Sequence, residues 1–430
     1  MFQQKVTEHL YLQAADDEEF FDSEKANTPW RQFIDANGFQ YKGFCDDFGP
    51  MSLGTVFQFY KVIEKHLTLC PGRSVVIQTK LESKALTNTV FLTGSYLMMK
   101  FSLNPDEIVD VFLPANNLLV SFKDVMPGEQ TFHLYLRDCW AGLWKAKQLG
   151  WVKSLFKGFD LEEYLHYGDP CNADLHEIIP GKFVAMQGPK SMAAGTLWRN
   201  VGTGDGRFSH REFSPAHYVD ILRQLDVQAV VRLNVPEYNK EEFTKEGFGF
   251  ADLFFEDCTC PPAEVVAKFM LIAESLPGAI ALHCKSGLGR TGTLIALFMM
   301  QHHGFTAREA MGWLRVVRPG SVIGPQQQYL IAREPVMRRT AALYQGRRPS
   351  LAPAAAGSAE QLIAAAVLAV DDRLRAARRP RRRSLSSLSD PGWELPAPPL
   401  VVAAEKSIEV GVGSAASPSP APRRFCPDLM

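Results

Sequence analysis

The residues best suited to chemistry lie in one run, His283-Cys284-Lys285-Ser286-Gly287-Leu288-Gly289-Arg290-Thr291. Cysteine acts as a nucleophile in its thiolate form, which helix N-termini and cationic neighbours favour. A glycine-bearing loop between a strand and a helix turns its backbone N–H groups toward an anion, and the helix start adds partial positive charge. Arg290 can hold two phosphate oxygens in a bidentate grip that a point-charge lysine would not give. The chemistry implied is phosphomonoester hydrolysis through a phosphocysteine. In it Cys284 is the nucleophile, the loop of Lys285, Ser286, Gly287, Leu288 and Gly289 the phosphate cradle, and Arg290 the clamp. The bland alternative is a buried structural thiol beside an ordinary turn. It gives no reason for the spacing of histidine, cysteine, arginine and threonine.

Hydrolysis also needs an acid for the leaving oxygen and a base for the attacking water. Asp257 is the candidate, at the end of the apolar run Leu253-Phe254-Phe255-Glu256-Asp257 and just ahead of Pro261-Pro262. A loop closed by prolines suits a lid over bound phosphate. Asp252 and Glu256 are rivals, but strand alternation puts Glu256 on the opposite face and Asp252 sits at the strand's start. Thr291 is expected to hydrogen-bond the sulfur and help it leave, and His283 to orient the thiolate through a ring N–H. Gln326 and Gln327 are candidates to position the hydrolytic water.

These residues need a scaffold, and the pattern around them supplies one. Ala279-Ile280-Ala281-Leu282 follows Pro277-Gly278 and reads as a buried strand; Leu294-Ile295-Ala296-Leu297-Phe298-Met299-Met300 reads as an apolar helix. The first half repeats the unit, with a strand at Val75-Val76-Ile77-Gln78 and a helix from Thr89 to Phe101. Its loop, Thr79-Lys80-Leu81-Glu82-Ser83-Lys84-Ala85, has no cysteine, arginine or glycine and cannot do the chemistry. Further elements are a strand at Leu10-Tyr11-Leu12-Gln13 and a helix from Leu53 to His66. The expected organisation is a non-catalytic domain over 1–150, a linker over 151–178 and a catalytic domain over 179–345. The linker's helical stretch, from Phe159 to Tyr167, is acidic on part of its surface. An Ala/Pro/Ser/Arg-rich tail over 346–430 is expected to be disordered, apart from an isolated helix near 360–374. Arg378-Arg379-Pro380-Arg381-Arg382-Arg383 is a basic cluster of the nuclear-localisation kind.

Composition narrows the classes. The 430 residues are 46% hydrophobic and 22% charged, with a formal net charge of −1. Those proportions are globular, and the near-neutral balance gives no basic surface for nucleic acid or membrane. The first residues lack a signal peptide's apolar core, and no apolar run reaches the ~20 residues of a spanning helix. Eight cysteines are scattered, with only Cys258 and Cys260 close together, which fits neither a disulfide framework nor a zinc ribbon. The expectation is a soluble intracellular enzyme with no metal and no cofactor.

Several segments together resemble the mitotic-exit dual-specificity protein phosphatases, the Cdc-fourteen family of the protein-tyrosine-phosphatase superfamily. They are Phe44-Cys45-Asp46-Asp47-Phe48-Gly49-Pro50, Asp160 to Tyr167, Ile179-Pro180-Gly181-Lys182-Phe183 and Val231-Arg232-Leu233-Asn234. To these are added 252–257, the loop 283–293 and the unusually specific Arg318-Pro319-Gly320-Ser321-Val322-Ile323-Gly324-Pro325-Gln326-Gln327. The resemblance implies an α/β fold of two tandem dual-specificity-phosphatase-like domains, each a mixed central sheet flanked by helices, joined by a linker helix. Only the second domain would be active. It also implies phosphoprotein substrates, with a preference for phosphoserine before proline as left by cyclin-dependent kinases, and a basic residue further on. Asp160, Glu162 and Glu163 would form the acidic groove for that basic residue. Cell-cycle or mitotic-exit control is implied, with residence in nucleus and cytoplasm, extending to nucleolus, spindle pole or microtubule structures. Departures are Leu165 and Gly168, where relatives carry acids, Val235-Pro236-Glu237 after the Arg-Leu-Asn, and Cys258, where the lid usually has glycine. Cysteine adopts positive φ reluctantly, so an altered lid is expected. Of the rival functions, a phosphoinositide phosphatase would carry a second lysine where Leu288 stands. A phosphoserine-binding scaffold would not need Cys284, Arg290 and Asp257 together.

Overall fold

Two mixed sheets, one in each half of the chain, carry the architecture. The computed structural model describes residues 1–16, 31–41, 43, 47–69, 71–152, 159–202, 208–345 and 357–378. In the first half the strands are β1 (Phe2–Lys5), β2 (Leu10–Ala15), β3 (Arg31–Asp35) and β4 (Ser74–Lys80), ordered β1-β2-β4-β3. Only the β1–β2 pairing is antiparallel. The central strand β4 is buried from Val75 to Thr79, as a strand covered on both faces must be. Helices α1 (Leu53–Leu69) and α2 (Ser83–Phe101) pack on β4, and α3 (Pro105–Phe112) and α4 (Leu136–Gln148) pack on α2. Helix α2 starts at Ser83, ahead of the expected Thr89. Its second turn, Thr87-Asn88-Thr89, is polar but buried, and the hydroxyls of Thr87 and Thr89 bond back to the carbonyls of Ser83 and Ala85 at 2.6 and 2.9 Å. That back-bonding hides the helix from an apolar pattern.

Helix α5 (Leu161–Gly168) bridges to the second half. There follow β5 (Leu175–Ile179), β6 (Phe183–Met186), the hairpin β7 (Trp198–Gly202) and β8 (Phe208–Phe213), α6 (Pro215–Gln224) and β9 (Val227–Arg232). Next come a short α7 (Glu241–Thr244), β10 (Gly249–Asp252), α8 (Ala263–Ser275) and β11 (Ala279–His283). The chain continues through α9 (Gly289–His302), α10 (Ala307–Val317), α11 (Pro325–Gln345) and α12 (Ala359–Arg378). The sheet runs β10-β9-β11-β6-β5, parallel except for β5. Its β5-β6-β11-β9 portion matches β1-β2-β4-β3 in order and direction, with the antiparallel strand on the same edge. The repeat seen in two short motifs therefore extends to the whole sheet, and β10 is the second half's addition.

Helix α10 joins the halves. It crosses α4 so closely that a Cβ on Gly142 would stand 2.3 Å from the Glu309 carbonyl, and one on Gly312 would stand 2.4 Å from that of Asp138. Only glycine permits backbones that near. Trp313, buried, donates to the Ile178 carbonyl at 3.0 Å, which ties α10 to β5.

The helix expected near 360–374 exists but is not isolated. In α12, Ile363, Ala366 and Val370 are buried, and Asp371 pairs with Lys268 of α8 at 2.7 Å. Gly249 of β10 makes room: a Cβ there would lie 2.8 Å from Ile363 Cδ1. The segment 44–46, the linker residues 153–158 and the basic cluster past Arg378 lie outside the described residues. Among the described residues no helix is long and apolar enough to cross a membrane.

Candidate active site

Strand β11 ends at His283 and helix α9 begins at Gly289, so the intervening loop sits at the C-terminal edge of a parallel sheet. Every carbonyl of that loop is tied outward. Cys284 O accepts from His283 Nδ1 at 3.0 Å and Lys285 O from the Gly188 amide at 2.9 Å. Ser286 O and Gly287 O accept from Arg318 Nη2 and Nε, both at 2.9 Å. Leu288 O accepts from the amides of Gly292 and Val322 at 3.0 and 3.3 Å. In a trans peptide the next N–H points opposite to the carbonyl, so the amides of Lys285 to Gly289 face the inside of the loop. Among the described residues none of those five amides has a protein acceptor. A ring of unpaired donors at a helix start is an anion site. Gly287 is obligatory: its φ is +69°, and a Cβ would stand 2.0 Å from the Met186 carbonyl.

Cys284 lies under this ring, only 2% exposed. His283 is fully buried, which drives its pKa down to about 4. The neutral imidazole thus donates from Nδ1 to the Cys284 carbonyl and accepts at Nε2 from the Tyr238 hydroxyl at 2.7 Å. The ring N–H expected to orient the thiolate thus reaches the cysteine at its backbone carbonyl. Thr291 differs. Its Oγ1 is buried with no hydrogen-bond partner, so the expected bond to sulfur is not formed, and the hydroxyl stands open at the first turn of α9.

Arg290 is 3% exposed. Its Nη1 donates to the carbonyls of Phe255 and Leu233 at 3.1 and 3.4 Å, which fixes the guanidinium against the ends of β9 and the lid. Asp257 Oδ1 lies 3.2 Å from Arg290 Nε, as an ion pair at the mouth of the site. Asp252 is excluded as the acid because it is bound to Arg232 through two hydrogen bonds of 2.6 and 3.1 Å. β10 stops at Asp252, so the alternation used to set Glu256 apart from Asp257 does not apply. The two are separated by the pairing with Arg290 instead, while Glu256 faces solvent.

Cys258 follows with φ +55°. The lid therefore keeps a left-handed residue even without glycine, at a cost of about 1–2 kcal/mol. Burial raises the Cys258 and Cys260 thiols above their ordinary value. The far end of the lid is clasped by the start of α11. Gln326 Nε2 donates to the Thr259 carbonyl at 3.0 Å, Cys260 Sγ to that of Pro325 at 3.7 Å, and the Tyr329 hydroxyl to that of Pro261 at 3.4 Å. Gln326 is thus at the site, beside Gly289. Gln327 is not. Its amide accepts from Arg315 Nη2 at 2.7 Å and donates to Asp124 Oδ2 at 3.0 Å, so it faces the first half rather than a hydrolytic water.

Tyr238 was not singled out by sequence, and Arg318 entered only as the first residue of the motif 318–327, with no role assigned. Arg318 is buried; besides two loop carbonyls it holds Asp174 at 2.8 Å and His176 Nδ1 at 3.1 Å. Burial lowers the pKa of His176, which leaves it able to accept. The His176 ring packs on Tyr164 of α5 at 4.8 Å, and the Tyr164 hydroxyl donates to the Val317 carbonyl at 2.6 Å. The linker helix is thereby seated on the residue that shapes the phosphate loop. Asp160 caps that helix, accepting from the Glu163 amide at 2.9 Å, and Asp160, Glu162 and Glu163 are all exposed. Partial burial, then the charges of Asp160 and Glu177, raise the Glu163 pKa.

Residues 4–146 match the model of the dual specificity protein phosphatase N-terminal half, and residues 213–333 that of the dual specificity phosphatase catalytic domain. The human dual specificity protein phosphatase CDC14C is 36% identical over 300 residues, which cover 69% of this chain and 64% of that protein. Mouse CDC14B is 36% identical over 312 residues, 72% of this chain and 62% of its own length. The Caenorhabditis elegans tyrosine-protein phosphatase cdc-14 is 38% identical over 314 residues, 70% and 42% of the two chains. Among solved structures, Tk-PTP in its active form is 23% identical and covers 37% of this chain and 95% of its own, at a TM-score of 0.29. The chain spans less than two thirds of the length of the curated relatives just described. A dual-specificity-phosphatase N-terminal half followed by the catalytic domain, in that order and at this identity, assigns the chain to the Cdc14 family of dual-specificity phosphatases.

Proposed function

We propose that the chain is a cysteine-dependent protein phosphatase acting on phosphoserine, phosphothreonine and phosphotyrosine. The observation that carries this reading is the loop whose five carbonyls, Cys284 to Leu288, are tied outward, leaving its amides directed at one point above a buried cysteine. Cys284 Sγ attacks phosphorus as the bond to the substrate oxygen breaks, and Asp257 gives that oxygen its proton. The loop amides and Arg290 hold the three remaining phosphoryl oxygens as charge builds on them. Water then attacks the phosphocysteine, Asp257 takes its proton, and phosphate and the thiolate part. Gln326, between loop and lid, is the residue near enough to steer that water. Leu288, apolar and buried, offers no charge to a second phosphate, which favours protein over phosphoinositide substrates.

The exposed acids Asp160, Glu162 and Glu163 support a basic residue downstream of a phosphoserine-proline site. That preference would have the protein reverse cyclin-dependent kinase phosphorylation in cell-cycle or mitotic-exit control, in nucleus and cytoplasm. The test is a peptide panel of pSer-Pro, pThr-Pro and pTyr, each with and without a downstream lysine. The expected result is fastest turnover of pSer-Pro with lysine, no turnover by Cys284→Ser, and retained binding by that variant. Wild-type turnover by Cys284→Ser would overturn the mechanism, and indifference to proline and lysine would overturn the substrate preference.

A further inference from the structure

Asp124 belongs to the half without catalytic residues, yet its carboxylate reaches into the other. Its Oδ2 accepts from the Gly324 amide and, at 3.0 Å, from Gln327 Nε2. Gln328 Nε2 meets the Thr131 carbonyl of the same half at 3.2 Å. From within the second half, buried Arg315 holds the carbonyls of Ser321 and Val322, both at 3.0 Å, and Gln327 Oε1 at 2.7 Å. The turn so pinned is strained. Val322 has φ +64° and Gly324 φ +55°, and a β-branched residue in the left-handed region persists only where its surroundings over-determine it. Directly after this turn come Pro325, Gln326 and Tyr329, the three residues that clasp the lid at Cys260, Thr259 and Pro261. Asp257 is in that same lid.

We infer that Asp124 is a positioning residue for the acid lid: the inactive half holds the strained turn, the turn sets the start of α11, and α11 fixes where Asp257 stands. The inference rests on the phosphatase reading of Asp257. It has a signature that a folding role lacks. A general acid contributes roughly 10²–10⁴-fold, mostly when the leaving oxygen is basic and least when it departs as a stabilised anion. A misplaced lid therefore selects against poor leaving groups, whereas a smaller folded fraction slows every substrate alike.

The experiment compares kcat/KM for phenyl phosphate and p-nitrophenyl phosphate in the full chain, for wild type, Asp124→Ala, Asp124→Asn and Asp257→Ala. Asp124→Ala is expected to lose about ten times more rate on phenyl phosphate than on the nitrophenyl ester, in the direction of Asp257→Ala. Asp124→Asn, which keeps an acceptor oxygen for the Gly324 amide, recovers most of the difference. Equal proportional losses on both esters, or none, overturn the inference. If Asp124→Ala does not fold, Gln327→Ala removes one of the two ties and decides by the same ratio. Should Asp257→Ala itself show no selectivity, the acid reading of Asp257 fails, and the inference with it.

Discussion

The loops after β4 and after β11 occupy the same place in two sheets of matching strand order, and they use their hydrogen bonds in opposite senses. After β4 the first two donors are taken: the Lys80 amide goes to Asn37 Oδ1 at 3.1 Å and the Leu81 amide to the Ala15 carbonyl at 3.1 Å. Helix α2 then begins at Ser83, with the carboxylate-bearing Glu82 at its N-cap position. After β11 the acceptors are taken and the donors are open. An anion arriving at the first loop meets the acid Glu82 and two occupied amides; at the second it meets a ring of unpaired N–H groups. The first half thus lacks more than a cysteine. Its strand and helix are joined by Leu81 and Glu82 alone, too short a loop to ring a phosphoryl group with amides as Cys284 to Leu288 do.

The largest test of that contrast is Gly287→Ala, which breaks the ring while keeping Cys284, Arg290 and Asp257. Because the new Cβ would collide with the Met186 carbonyl, the loop must shift. Turnover is expected to fall by roughly 10²–10³-fold, the scale of losing an oxyanion donor, in a protein that still melts cooperatively. A loss below tenfold would mean the amide ring is not what separates the two loops.

A smaller effect concerns His283, the last residue of β11, set against Thr79, one residue from the end of β4. Only the histidine titrates. Its folded pKa, about 4, is below the ordinary value near 6.5, so the unfolded chain binds the extra proton first. Stability from this group is full above about pH 6.5 and falls as pH drops toward 4, by about 2 kcal/mol at pH 5. Protonation there would set a cation facing Arg232 and Arg290, with Asp252 and Tyr238 also beside it. Denaturant midpoints at pH 7 and 5 check this: His283→Asn should be weaker at pH 7 yet lose less than wild type on acidification.

The smallest expected effect is in the first loop. Ser83→Ala with Lys84→Ala should leave turnover of a pSer-Pro peptide within about twofold, since surface changes of this kind alter energies by about 0.5 kcal/mol or less. A loss beyond tenfold, in a protein of unchanged melting temperature, would show that the first loop still contributes to catalysis.

Much of this was legible in the residues. Two apolar strands followed by helices revealed the repeat, and the spacing of Cys284 and Arg290 pointed to the proposed chemistry, because both signals are local. Asp257 was legible for a reason that did not survive: strand alternation, where the chain has already left the strand. Side-chain direction on a turn depends on distant partners, which is why Gln327 turned to Asp124 and the Thr291 hydroxyl has no bond to sulfur. Tyr238 looks like an ordinary surface residue in sequence, and Arg318 stands in the motif 318–327 without a role; only the fold brings His283 within reach of the first and Gly287 and Asp174 within reach of the second. The seating of α12 did have a signal, since Ile363, Ala366 and Val370 repeat at helical spacing. Its Ala-rich, polar flanks masked it.

Helix α12 has a practical consequence. A shortened protein ending at Gln345 would strip the cover from Gly249 and the neighbouring face of α8. Bare apolar surface of that sort invites self-association, so a catalytic fragment stays monodisperse only if it retains residues through Arg378.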